Sequence, residues 1–151
     1  MKRYKKLFFF PFIIIIIITL FSGFGHNSNP QIMKELLEKR TSILQQVYFG
    51  QIKIEKAEEQ LTEIETQPLL GSDITNLRNK VPSEMDMIED MKIDSLREIT
   101  KFYSYLSYQS EITWYMKGLN SDYKQTIKYH IVLKNLDGKY KLSEFKPIKS
   151  K

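Results

Sequence analysis

The sequence predicts an α+β protein: an N-terminal transmembrane helix, then two or three helices packed on a curved antiparallel sheet of three or four strands. Three observations support this. An uncharged apolar run lies near the N-terminus, apolar residues recur with helical period in the first half, and they alternate in the second half. With 151 residues, the chain suits one ordinary domain behind a leader.

The first 25 residues predict a membrane signal. A basic stub, Met1–Lys6, precedes 19 uncharged residues, Leu7–Gly25, and a helix of that length covers about 28 Å, close to the thickness of a bilayer core. Four basic residues precede this span and none follows it before Lys34, which favours a cytoplasmic N-terminus and an exported remainder. The apolar residues predicted to lie in lipid are Leu7, Phe8, Phe9, Phe10, Phe12, Ile13, Ile14, Ile15, Ile16, Ile17, Ile18, Leu20 and Phe21.

Two interpretations of this leader compete. It is either a signal peptide cleaved before His26 or an uncleaved signal anchor. We favour the anchor, because the apolar run exceeds the roughly 7–15 residues of a signal-peptide core and Phe24 disturbs the small-residue cleavage site. Either way, residues 26–30 form a linker and residues 31–151 a domain outside the cytoplasm, tethered to the cell membrane or secreted. The excess of Lys over Arg, 19 to 4, is typical of an AT-rich bacterial genome.

The first half of the exported part predicts helices. Asn29-Pro30 is a helix start, and a single apolar stripe continues from it for about 18 residues until Gly50. A second helix is predicted from Ile54 to Thr66, and a short third one over Ser72–Lys80, with Ser72 as its cap.

The second half predicts strands. Alternation over Phe102–Lys117 gives one half-buried strand, with Trp114 on the core side, and Gly118–Asp122 is a predicted turn. Alternation over Tyr123–Lys134 gives the clearest amphipathic strand in the chain. Met85–Thr100 fits either a helix or a strand. We favour a strand that pairs with the one starting near Tyr105.

The end of the sheet has a recognisable turn. Asn135-Leu-Asp-Gly138 predicts a hairpin in which Gly138 supplies a positive φ. Tyr140 and Leu142 begin the last strand, while Phe145 falls on the opposite parity. We therefore expect a β-bulge near Ser143–Glu144.

Composition excludes several kinds of chemistry. The absence of cysteine rules out a disulfide scaffold and a thiolate site, and there are only two histidines, His26 and His130. His130 falls among lysines on a polar strand face and is interpreted as a surface residue. The acidic group Asp86, Glu89, Asp90 and Asp94 lacks a calcium-loop pattern and is interpreted as solvated. We predict no catalytic residue, no metal site and no cofactor, and hence no enzyme.

Charge argues against nucleic acid as a partner. The net charge of +5 comes largely from the stub, whereas residues 31–94 carry 8 basic and 13 acidic residues, and residues 95–151 carry 11 and 5. Two oppositely charged solvated faces explain this distribution, or the basic part meets an anionic polymer, lipid head groups or an acidic partner.

One set of residues is a candidate partner-binding face: Tyr103, Tyr105, Tyr115 and Lys117. They fall opposite the apolar side of their strand, where exposed tyrosines can stack on sugars or anchor a protein. The alternative is that helices or a second copy cover this face. The expected partners are the membrane and another envelope protein or a cell-wall polymer.

The segment DGKYKLSEFKP, Asp137–Pro147, resembles the closing hairpin of cystatin-like α+β domains of the nuclear transport factor two-like group. This resemblance implies helices first, an antiparallel meander last and, in some members, a cone-shaped pocket; no catalytic residue of the group has a matching position here. The overall layout also resembles small membrane-anchored or secreted proteins of Firmicutes.

Three hypotheses about function result. The first is a membrane-anchored extracytoplasmic domain that binds a partner through its sheet without catalysis. The second is a single-pass scaffold subunit of a secretion or conjugation complex, which the arrangement of stub, span and exported domain resembles. The third is a small hydrolase or ligand binder with a pocket inside the curved sheet.

Overall fold

The structure, a computed structural model, describes residues 29–79, 86–118 and 120–149. Three helices precede a four-stranded antiparallel sheet of order β1-β2-β3-β4, which confirms the α+β core. The elements are α1 Asn29–Tyr48, α2 Ile54–Ile64, α3 Leu69–Arg78, β1 Met87–Phe102, β2 Tyr105–Lys117, β3 Asp122–Leu136 and β4 Lys139–Pro147.

Several predictions lie outside the described residues. They include the basic stub, the apolar span at positions 7–25, the proposed cleavage point at position 26 and the predicted helix end at position 80. Among the helices within the described ranges, none combines the length and the apolar character that crossing a bilayer requires.

The first helix follows its predicted pattern. α1 begins at Asn29, and Pro30 falls in the first turn, where a missing N–H breaks no helical hydrogen bond. The apolar stripe is buried at Met33, Leu37 and Val47, among others. The helix face with 3.6-residue period therefore forms one wall of the core.

The boundaries of α2 and α3 differ from the prediction. α2 ends at Ile64 rather than Thr66, because the next residue turns extended and the Thr66 N–H donates to the Leu142 carbonyl at 2.8 Å. The prediction that Ser72 caps α3 is wrong. Ser72 lies inside this helix, and its N–H donates to the Pro68 carbonyl at 3.2 Å.

The first hairpin begins later than predicted. Phe102 is the last residue of β1 and not the first of β2, and Tyr103 and Ser104 form the turn between these strands. This turn contains none of the Gly, Asn, Asp or Pro residues that mark hairpins in a sequence. The favoured prediction that the segment before it is a strand paired with β2 is confirmed.

The last hairpin confirms the prediction in detail. Asp137 and Gly138 have φ of 53° and 83°, which is the combination of a type I′ turn. Val132 pairs with Glu144 and Leu133 with Leu142, so one extra residue of β4 bulges between these pairs.

The core lies between the helices and one face of the sheet. Trp114 is only 7% exposed, as predicted, and its indole N–H donates to the Tyr129 hydroxyl at 3.0 Å. Tyr129 and Phe145 both meet the indole edge-to-face, with ring centroids 6.2 and 6.4 Å away. This aromatic group closes one end of the core.

β1 is an edge strand with regularly spaced irregularities. Its pairing with β2 shifts register three times, leaving Glu89, Asp94 and Ile99 as unpaired extra residues. These bulges are five residues apart, so the strand bends repeatedly along the sheet.

Candidate binding surface

The face of the sheet opposite the helices carries the polar residues, and we call it the open face. It comprises the odd-numbered residues of β2 and the residues paired beside them on the other strands. One row crosses the whole sheet: Arg97 pairs with Gln109, Gln109 with His130 and His130 with Lys146. The open face also exposes the long basic side chains of Arg97, Lys124, Lys128 and Lys146.

The structure divides the predicted tyrosine strip into two parts. Tyr105, Tyr115 and Lys117 all belong to the open face, whereas Tyr103 lies in the β1–β2 turn and is fully exposed. Tyr105 and Tyr115 are ten positions apart, which corresponds to about 33 Å along a strand. The four residues therefore do not form one contiguous patch.

One end of the sheet exposes apolar side chains. Ile99, Phe102, Tyr103 and Leu136 are exposed there, Phe102 to 75%, and we call these four residues the tip cluster. The Asn135 N–H donates to the Ser104 carbonyl at 2.7 Å, which holds the end of β3 beside the β1–β2 turn. This cluster was not predicted from the sequence, because the alternation pattern assigned Phe102 to the buried side of β2.

Three side chains of residue types found in catalytic sites lie next to one another on β2, β3 and β4 of the open face. Ser107 Oγ lies 2.9 Å from His130 Nε2, and His130 Nδ1 lies 3.9 Å from Glu144 Oε2. With a neutral imidazole protonated at Nδ1, the hydroxyl would donate to Nε2, as in an activated nucleophile. However, Ser107 is only 3% exposed, and Glu144 Oε2 accepts a hydrogen bond from Lys146 Nζ at 2.9 Å. We therefore interpret these three residues as polar cross-strand contacts that stabilise the sheet.

His130 is therefore only partly as predicted. It lies on the polar face, but its side chain is half-buried and has a specific hydroxyl partner. The acidic residues near the start of β1 have individual partners: Asp94 pairs with Lys92 Nζ at 3.1 Å and Glu89 with Lys117 Nζ at 3.7 Å. Within the described residues, no cluster of three or more His, Asp or Glu side chains is arranged to hold a metal ion.

A buried charge cluster joins the three helices. The guanidinium of Arg40 on α1 donates to both carboxylate oxygens of Asp73 on α3, at 2.7 and 2.9 Å. It also lies 5.2 Å from the ring centre of Phe145. Glu65, directly after α2, brings Oε1 to 3.1 Å from Arg40 Nε, but the single N–H of that nitrogen is used by Asp73. Neither carboxyl oxygen of Glu65 has a hydrogen-bond partner.

The environment of Glu65 changes its ionisation. Burial raises the pKa of the Glu65 carboxyl from 4.5 to about 8, the negative charge of Asp73 adds to this rise, and Arg40 opposes it. One guanidinium therefore serves one carboxylate, and Glu65 is mostly neutral at pH 7. Nothing in the local sequence indicated this cluster, since Arg40 and Asp73 are 33 positions apart.

A shallow groove of about 420 Å³ lies between α1 and the start of β1. The Gln45 side-chain amide closes part of it, accepting from the Ile88 N–H at 2.8 Å and donating to the Ile88 carbonyl at 3.1 Å. Phe49 and Met87 are exposed at the groove. The glutamine amide thus acts as a short substitute for a neighbouring strand.

No protein-family model matches the sequence, and no curated protein is significantly similar to it. Among solved structures, the chain is similar to the crystal structure of the intermembrane space region of the chloroplast protein ARC6. The TM-score is 0.45 and the sequence identity 13%, with 76% of this chain and 95% of that chain covered.

Proposed function

We propose that this protein is a membrane-anchored extracytoplasmic domain that binds an anionic envelope component through the open face of its sheet, without catalysis. The apolar run at positions 7–25 and the four basic residues before it support the anchor and its orientation. The helices-then-meander order also supports the cystatin-like grouping that the last hairpin resembles.

The observation that carries this proposal is the charge of the open face. All three helices pack on the other side, so four strands present polar residues to solvent. Exposed Arg97, Lys124, Lys128 and Lys146 spread across three of these strands. Lys128 and Lys146 pair with the carboxylates of Glu111 and Glu144 at 3.8 and 2.9 Å on the same face, which leaves the other two without a carboxylate partner at salt-bridge distance among the described residues. A broad basic surface attracts acidic proteins and anionic wall polymers.

The burial of Ser107 also supports a binding role. Among the described residues, it is the one serine that contacts a histidine. Ser107 is almost completely buried, so a substrate would meet its hydroxyl only after neighbouring side chains moved. A hydrolase needs its nucleophile accessible and hydrogen-bond donors placed for the developing oxyanion.

Charge reversal on the full chain tests this function. Membranes carrying the double variant Lys128→Glu and Lys146→Glu should lose the crosslinked partner or polymer that the wild type captures. A matched control, Lys34→Glu with Lys39→Glu, reverses two exposed charges on α1 and should retain capture. Equal loss in both variants, or capture unaffected by either, would refute binding through the open face.

A further inference from the structure

The tip cluster lies at the end of the sheet that the hydrophobic core does not reach. Beyond Leu96, the side chains of β1 are exposed to the end of the strand, and the turn residue Tyr103 is fully exposed. Phe102 and Tyr103 are adjacent large aromatic residues with no core to enter. Exposed apolar residues grouped in this way are typical of a surface that meets another apolar phase.

Basic residues surround this cluster. Lys101 and Lys139 are exposed beside it, and Arg97 precedes it on β1. Two further lysines, Lys134 and Lys141, are paired in the row of Tyr105, but both are half-buried and their ammonium groups donate to the backbone carbonyls of Gln67 and Thr62 at 3.4 and 2.6 Å. Exposed carboxylates at Glu98 and Asp137 also lie beside the cluster, and the basic residues outnumber them. Aromatic residues flanked mainly by basic side chains match the boundary between lipid tails and anionic head groups.

The direction of α1 brings the membrane to this end. Near its C-terminus, Gln45 contacts Ile88, at the far end of the sheet from the tip cluster. One turn and a half earlier, Arg40 lies over Phe145, whose row continues through Ile131 towards the start of β2. The helix therefore runs with its N-terminus towards the tip cluster.

The chain before α1 is short. Only three residues separate the end of the apolar run at Gly25 from Asn29. Such a connection reaches at most about 14 Å, even when fully extended. Under the proposed anchor, which this step requires, the end of the domain that carries the tip cluster stays close to the bilayer surface.

We propose that the tip cluster is a second membrane contact, which rests in the head-group layer of an anionic bilayer while the surrounding lysines bind lipid phosphates. The domain is then held at two points, the anchor and the hairpin. Its orientation over the membrane is fixed, and the remainder of the open face extends along the strands away from the contact.

The chain has no cysteine, so single-cysteine variants give unambiguous labelling. We would reconstitute full-length Tyr103→Cys, carrying an environment-sensitive fluorophore, into vesicles of phosphatidylcholine with phosphatidylglycerol. The label should show blue-shifted emission and quenching by spin-labelled lipid. The same label on Asn120→Cys, exposed in the turn at the other end of β2, should report water.

Charge variants separate lipid attraction from other causes. In the labelled chain, Lys101→Gln with Lys139→Gln should reduce the blue shift in phosphatidylglycerol vesicles and leave it unchanged in pure phosphatidylcholine. Lys117→Gln with Lys124→Gln, two exposed lysines at the opposite end of the sheet, is the matched control and should have no effect.

Flotation of the vesicles distinguishes the two proposals. A chain that floats with its vesicles while position 103 reports water, as position 120 does, overturns the membrane contact and leaves the proposed anchor standing. A chain that does not float overturns the anchor, and the membrane contact with it.

Discussion

Replacing Glu65 by glutamine should stabilise the protein at neutral and alkaline pH. Glutamine has nearly the same shape and no charge, so it removes the ionisation while keeping the packing. Glu65 is only 1% exposed and shares Arg40 with Asp73, which already receives both guanidinium hydrogen bonds. Its charged form is therefore the less favourable one in the folded state.

The magnitude can be worked out from the two pKa values. The Glu65 carboxyl has a pKa of about 8 when folded and an ordinary value of 4.5. Between these values the folded state binds more protons than the unfolded state, so the free energy of unfolding falls as pH rises. At pH 7 the loss relative to acid pH is about 3 kcal/mol, and above pH 8 it levels off near about 5 kcal/mol.

Urea denaturation of the full chain in mild detergent, at pH 5, 7 and 9, measures this effect. The glutamine variant should match the wild type at pH 5 to within about 1 kcal/mol and exceed it increasingly at pH 7 and 9. Glu63→Gln, which changes an exposed carboxyl in the last turn of α2, is the control and should follow the wild type. Parallel curves for wild type and Glu65→Gln across this pH range would show that the buried carboxyl is not protonated in the fold.

Four further outcomes are expected. Trp114→Ala should lose about 3–5 kcal/mol of stability by urea denaturation, because it truncates a buried aromatic side chain; an unchanged midpoint would place the indole in solvent. Arg40→Met should cost about 3–5 kcal/mol at pH 7, by the same assay, since it leaves a buried carboxylate without its cation. Gly138→Ala should cost about 1 kcal/mol of stability and so lower the melting temperature slightly. Its φ of 83° is unfavourable for a residue with a side chain, although nothing crowds the added Cβ. Tyr103→Ala should leave the melting temperature intact, because the side chain is fully exposed; a large fall in melting temperature would contradict that exposure.

Elements with a clean period could be predicted from the sequence. β3 alternates from Tyr123 to Lys134 with two exceptions, Gln125 and Val132, and its strand was assigned from that alternation alone. The turn after it contains Asp137 and Gly138, which are the residue types that a type I′ turn requires. The parity change at Phe145 even indicated the bulge, because one extra residue reverses every side chain beyond it.

β1 could not be predicted equally well, for a physical reason. Each of its bulges, at Glu89, Asp94 and Ile99, shifts the parity of the residues beyond it, so neither a two-residue nor a 3.6-residue period persists. The turn at Tyr103 and Ser104 contains no typical turn residue, so its position could not be predicted. Phe102 was therefore assigned to the wrong strand. The alternation of β2 continued backwards by chance through the turn.

The charge cluster around Arg40 and the contact between Ser107 and His130 could not be predicted from local sequence patterns. Arg40 meets Glu65 and Asp73 only because three helices converge over β4. Ser107 and His130 meet because of the pairing register of two strands, 23 positions apart. A spacing argument detects ligands within one helix or loop, whereas these contacts depend on tertiary packing.

The bulged edge of β1 has a consequence for how the protein behaves at high concentration. A 16-residue strand with a free side would normally template pairing with another chain and start fibril growth. Here an incoming strand would find only four regular residues, 90–93 or 95–98, before the ladder breaks. Deleting Asp94 would join these stretches into a longer regular edge, and the protein would become more prone to self-association.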